Sequence, residues 1–284
     1  MSSGYFSRPS AELDPALFSG THLKDDVRTG LLNVLYGGLE RDLDFNDPWD
    51  WVHAWVAGSG ISYQWSADRG NGDLDVLFGA DYTEFLRANP QFPRLTMEET
   101  SMYVNQMLKL KLWPRTSHYD MGGKAFEVTF YWNPTTGTSI ENIHPYAAYD
   151  LVNDCWVVRP PELPDNPRSL YPQQWHDTTE RDFANTWAIQ DLYHSGPSGK
   201  LQGVNAARAL WRDIHEGRKQ AFGDLGSGYG DFHNYRWQRA KETGASDILR
   251  FILDDADQGR GSDDGPHDIL TRDAIRYASS RYTG

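Results

Sequence analysis

The 284-residue chain carries 27 Lys and Arg against 40 Asp and Glu, a formal net charge of −13, with 39% hydrophobic and 13% aromatic residues. This balance belongs to a folded chain with a sizeable core, in one large domain or two ordinary ones, and it argues against tight non-specific binding to DNA, which depends on cationic contacts to phosphate. The single cysteine, Cys155, excludes an internal disulfide and lacks any zinc-ligand spacing, and no apolar run approaches a membrane span or a signal peptide, so a cytoplasmic location with no membrane partner is expected.

From Leu23 to Arg41 the residues Val27, Leu31, Leu32, Leu35 and Leu39 recur at helical spacing, with Asp25 and Asp26 where a helix dipole favours acids. This predicts a first helix. After Asn46-Asp47-Pro48, the run Trp51–Ala57 is rich in strand formers and stops at Gly58-Ser59-Gly60, a strand entering a tight turn. A loop over Asp68–Gly72 leads to Asp73-Leu74-Asp75-Val76-Leu77-Phe78, a second strand with its acids on one face. Met97–Leu112 is expected to be a helix that ends before Pro114. Gly122-Gly123 marks a hairpin turn into Ala125–Trp132, the strongest strand by composition, and Cys155–Val158 adds another.

The proline-rich stretch Arg159–Pro164, continued by Pro167 and Pro172, is the candidate domain boundary. Beyond it the pattern is helical over Asp182–Tyr193, Leu201–Phe222 and Phe232–Leu253, with the glycine-rich Gly223–Gly230 between the last two. The expected fold is α/β (α+β), a mixed-sheet domain over residues 1–165 followed by a helical domain over 166–284. Lys200 to Lys241 is locally basic, with Arg208, Arg212, Arg218, Lys219, Arg236 and Arg239. Such a segment is ordinarily a solvated helix face, the alternative being contact with a triphosphate. Within it, Tyr235-Arg236-Trp237-Gln238-Arg239 mixes rings and cations suited to a base and a phosphate, although on a helix Trp237 leaves the face shared by Tyr235 and Arg239. His53, His118, His144 and His176 have no metal-ligand spacing, and Ser227–Asp231 reads as a connector.

The chemistry concentrates in Gly58-Ser59, a thirteen-residue gap, and Asp73-Leu74-Asp75-Val76. Residues two apart in a strand point the same way, so Asp73 and Asp75 project together, and paired carboxylates suit a hard cation such as Mg²⁺. Phosphoryl-type transfer uses two such ions about 3.5–4 Å apart to stabilise the attacking and leaving oxygens. The Gly-Ser turn offers a backbone that a phosphate can approach closely. Glu127, in Phe126-Glu127-Val128, is placed to add a third carboxylate, and Asp150 is the substitute.

This pattern, an apolar strand, Gly-Ser, the gap, Asp-apolar-Asp-apolar and a later apolar-acid-apolar strand, resembles the polymerase-beta-type nucleotidyltransferase superfamily. The stretches DLDVLFGADY, FEVTFYWNP, HPYAAYDLV and DFHNYRWQ are similar to small bacteriophage nucleotidyltransferases, a likeness that spans most of the chain. The resemblance implies that Gly58 and Ser59 bind the triphosphate, that Asp73 and Asp75 bind Mg²⁺ or Mn²⁺, and that Glu127 is the third acid of the metal site. It implies transfer of a nucleoside monophosphate from an NTP to an acceptor hydroxyl on an RNA end, a protein or a small molecule, with the helical domain closing over the nucleotide. The chain departs from the commonest form in lacking a Ser just before Asp73 and in using Glu rather than Asp third. The alternative is a catalytically inactive nucleotide-binding or interaction protein of the same fold.

Overall fold

The structure, a computed structural model, describes residues 5–65, 72–92, 95–134, 137, 139–222 and 225–258. Most of the loop read over Asp68–Gly72, the start of Gly223–Gly230 and everything beyond Gln258 lie outside the described residues. Of the described residues, those through Pro167 form one compact unit and those from Arg168 form a second. Among them no helix is long and apolar enough to cross a membrane.

The first unit opens with a small antiparallel hairpin, β1 (Phe18–Ser19) and β2 (His22–Leu23), and then α1 (Asp25–Arg41). Asp25 and Asp26 occupy the first turn of α1, and Val27, Leu31, Leu35 and Leu39 bury one stripe of it. A short helix α2 (Pro48–Trp51) precedes β3 (Val52–Ala57), so Trp51 closes a helical turn instead of opening the strand. Next come β4 (Gly72–Ala80), α3 (Tyr82–Ala88) and α4 (Met97–Met107), the last started by a capping box between Thr96 and Glu99.

The helix expected to stop before Pro114 does not stop there. A π-helical turn at Leu108–Leu112 joins α4 to α5 (Trp113–Thr116), and Pro114 is the second residue of α5. The chain continues into β5 (Tyr119–Met121) and β6 (Lys124–Trp132) around Gly122-Gly123, then β7 (Ala148–Asp150) and β8 (Cys155–Val158). The main sheet is mixed, in the order β5-β6-β4-β3-β7-β8, with β4 and β6 parallel and the other neighbours antiparallel. Leu74, Val76, Phe78, Phe126, Val128 and Trp132 are almost fully buried, which makes one face of β4 and β6 core. Asn105 of α4 holds the end of β6 by accepting from the Trp132 N–H at 2.7 Å and donating to its carbonyl at 2.9 Å.

The second unit is helical: α6 (Gln173–His194), α7 (Pro197–Ala221), α8 (Phe232–Glu242) and α9 (Ala245–Gln258). Its core includes Ile189, Tyr193, Val204, Ala207, Ile214, Trp237, Leu249 and Ile252. α6 begins at Gln173 and not at Asp182, because its buried positions Thr179, Asp182 and Thr186 are polar and give no apolar period. The single helix expected over Phe232–Leu253 is two helices. Gly244, at φ +77°, takes the left-handed conformation that ends the first.

Leu74 lies between the two strand acids and is 1% exposed, so its removal tests the core under the site. Leu74→Ala is expected to cost about 2–5 kcal/mol of stability, read from urea denaturation, as for other buried leucines. A loss under about 0.5 kcal/mol, the scale of a surface substitution, would contradict this placement.

Candidate functional site

Because β3 and β4 are antiparallel, the end of one lies beside the start of the other, with Ala57 opposite Asp75. Because β4 and β6 are parallel, Asp73 lies opposite Glu127 and Asp75 opposite Thr129. Paired residues share a face, so Asp73, Asp75, Glu127 and Thr129 all emerge on the side away from Leu74, Val76, Phe126 and Val128. Neighbouring strands are about 4.8 Å apart and same-face residues along one strand about 7 Å, so the three acids form one patch. Asp73 and Asp75 are exposed and Glu127 is half-buried.

Two side chains that the sequence did not mark as site residues orient these acids. Thr129 Oγ1 donates to Asp75 Oδ1 at 2.8 Å, and the Trp113 indole N–H donates to Glu127 Oε1 at 3.0 Å. Neither donor is charged, so both bonds fix direction while leaving the negative charge in place. An all-oxygen, anionic and partly solvated donor set is the chemistry that Mg²⁺ or Mn²⁺ takes. The donor types are those a hard cation takes; the three carboxylates are not among the described groups that close to within 4.8 Å of one another.

The glycine turn lies against the same acids. Gly58 is at φ +95°, a region that favours glycine, and a Cβ built there would stand 3.5 Å from Asp75 Oδ2. At Gly60 a Cβ would stand 2.3 Å from the Asp73 carbonyl oxygen, so the turn rests directly on the acid-bearing strand. The Gly58 N–H already donates to the Ala147 carbonyl at 3.0 Å. Gly58 thus contributes conformation and space. A one-turn helix, Ser59–Ile61, follows it directly.

Asp150 stands apart from this patch. It pairs with Trp55 across β3, which puts it two strands over and two residues along from Asp75, about 12 Å away by strand spacing. Its carboxylate is 6% exposed and in use: His53 Nε2 lies at 2.7 Å, the N–H groups of Val152 and Asn153 donate at 2.9 and 2.8 Å, and Asn153 Nδ2 donates at 3.0 Å. Burial acts to raise the Asp150 pKa, but the bonds from His53 and Asn153 outweigh it and hold the group below its ordinary 3.8.

Among the described residues, the trio of metal-capable side chains that closes to within 4.8 Å is His22 on β2, Asp25 at the start of α1 and Asp154 in the turn between β7 and β8. Two of its members, His22 and Asp154, have other partners. The Tyr149 hydroxyl donates to Asp154 at 2.9 Å and lies 3.1 Å from His22 Nδ1, and Arg28 Nε sits 3.4 Å from Asp154. In the second unit, the run Tyr235–Arg239 faces inward and not toward a ligand. Arg236 is bound by Asp182 at 2.6 and 2.9 Å and by Asp213 at 2.6 Å, Arg239 is bound by Glu180 and Glu242, and Tyr235 and Trp237 are buried. The cations that made this stretch look phosphate-binding are paired with carboxylates of their own unit. No family model, curated protein or solved structure matches the chain.

The state of Asp150 has a pH consequence. A carboxyl whose folded pKa is lowered stabilises the fold above its unfolded value and loses that contribution as pH falls through the folded one. Asp150→Asn is therefore expected to be less stable than the wild type by about 1–3 kcal/mol at pH 7. That gap should narrow as the pH falls below about 4. Urea titrations at several pH values check this, and a gap that stays constant down to about pH 2 would contradict it.

Proposed function

We propose that the chain is a metal-dependent nucleotidyltransferase whose active site is the acidic patch of β4 and β6 with the glycine turn after β3. The observation that carries this reading is the placement of Asp73, Asp75 and Glu127 on one sheet face beside a turn whose Gly58, at φ +95°, lies against Asp75. Asp73, Asp75 and Glu127 would hold Mg²⁺ or Mn²⁺, which supplies charge stabilisation to the attacking and leaving oxygens.

The protein groups do the rest. The turn N–H groups and hydroxyl of Ser59 bind the β and γ phosphates of an NTP, and Gly58 keeps the approach open. An acceptor hydroxyl attacks the α-phosphorus, the bond from that phosphorus to the bridging oxygen breaks, and pyrophosphate leaves. Glu127 takes the proton released by the acceptor, its other oxygen fixed by Trp113. The acceptor is an RNA end, a protein side chain or a small molecule, and the net charge of −13 favours a short acceptor over long nucleic acid.

The test is incubation with each labelled NTP, Mg²⁺ or Mn²⁺ and separate RNA, protein and metabolite fractions, scoring which fraction gains label. Asp73→Asn and Asp75→Asn are expected to lose transfer with melting temperature not lowered, since they barely alter volume and relieve like-charge repulsion. Glu127→Gln should slow the chemical step by about 10²–10⁴ while nucleotide still binds. Gly58→Val should raise the NTP dissociation constant without loss of secondary structure. A near-wild-type rate in either Asn variant would sink the metal assignment, and tight NTP binding with no transfer to any fraction would favour an inactive binder.

A further inference from the structure

Trp113 is held more firmly than an exposed indole ordinarily is. The π-helical turn at Leu108–Leu112 delivers it to the start of α5, and α5 is locked onto β6 by Thr116 Oγ1, which donates to the Val128 carbonyl at 2.7 Å. The edge of its ring is tied by the N–H bond to Glu127, the residue next to Val128. Both backbone and ring are thus anchored to the strand that carries the third acid. Even so, Trp113 remains 41% exposed, and Leu110 of the same π turn is 60% exposed. Large apolar side chains left open and rigid at the edge of a polar patch are how small-molecule sites present a pre-formed wall. π-helical turns themselves recur at functional sites.

Glu127 is the strand partner of Asp73, so the indole bonded to Glu127 is held to the strand next to the paired aspartates. We propose that Trp113 is the stacking platform for the base of the incoming NTP, with the N–H tie to Glu127 keeping the ring in place. This rests on the nucleotidyltransferase reading above. Stacking on an indole face accepts any base, so the platform contributes affinity common to all four nucleotides.

The experiment measures binding of Mg²⁺ complexes of ATP, GTP, CTP, UTP and inorganic tripolyphosphate to the full chain by calorimetry. Wild type, Trp113→Leu and Trp113→Phe are compared, with melting curves for each. Trp113→Leu is expected to weaken every NTP by about 5- to 150-fold and to leave tripolyphosphate unchanged, while Trp113→Phe, which keeps a ring, recovers most of the loss. If the Leu variant does not fold, the difference in tryptophan emission between wild type and Trp113→Phe decides. It should be quenched by each NTP and not by tripolyphosphate. Unchanged NTP affinity in a folded Leu variant, or emission that no NTP alters, overturns the platform. An equal loss for tripolyphosphate also overturns it, because Trp113 would then act only through Glu127. A wild type that binds neither NTP nor tripolyphosphate removes the nucleotidyltransferase reading itself and the platform with it.

Discussion

The parallel pairing of β4 with β6 is the constraint on which the candidate site depends. It places Asp73 opposite Glu127 and Asp75 opposite Thr129, and a slip of one residue would turn Glu127 toward the core and Phe126 toward solvent. Register is therefore enforced by the hydrophobic face, where Leu74, Val76, Phe126 and Val128 are all buried. The energy that aligns the acids comes from residues that never touch a ligand. The acids themselves oppose the arrangement, because like charges on adjacent pleats repel. Thr129 and Trp113 orient Asp75 and Glu127 through uncharged donors.

The glycine turn shows the same division of labour. Gly60 has no room for a side chain because the carbonyl of Asp73 fills that space, and Gly58 has room but takes a backbone conformation that favours glycine. One glycine lets the turn sit on the strand. The other keeps open the space next to Asp75. A third acid from β7 would have required Asp150 to face an empty position, and that carboxylate is instead spent closing the turn to Asn153 and holding His53.

Much of this was legible in the sequence where burial alternates with period two. Asp73-Leu74-Asp75 and Phe126-Glu127-Val128 each place acids and apolar groups on opposite faces, so the strands could be read one at a time. Which strands become neighbours could not be read that way, and the bond from Thr129 to Asp75 depends on it. Trp113 was hidden for a different reason: its direction is set by a π-helical turn, whose extra residue disrupts the helical period just ahead of Pro114. α6 escaped at its start because Asp182, a charged residue, is buried against Arg236. The same pairing explains why Tyr235–Arg239 looked like a ligand-binding run and is interior. β7, three residues long, carries too few side chains to show a period.

Two separate clusters of candidate ligands, Asp73 with Asp75 and His22 with Asp25 and Asp154, allow the metal site to be tested by location alone. Crystals of the full chain grown with Mn²⁺ and a non-hydrolysable NTP, measured for anomalous scattering at the manganese edge, would show where the cation sits. The expected result is an anomalous peak bridged by the carboxylates of Asp73 and Asp75, with the triphosphate against Ser59. A peak held by His22, Asp25 and Asp154, with none at Asp73 and Asp75, would contradict it.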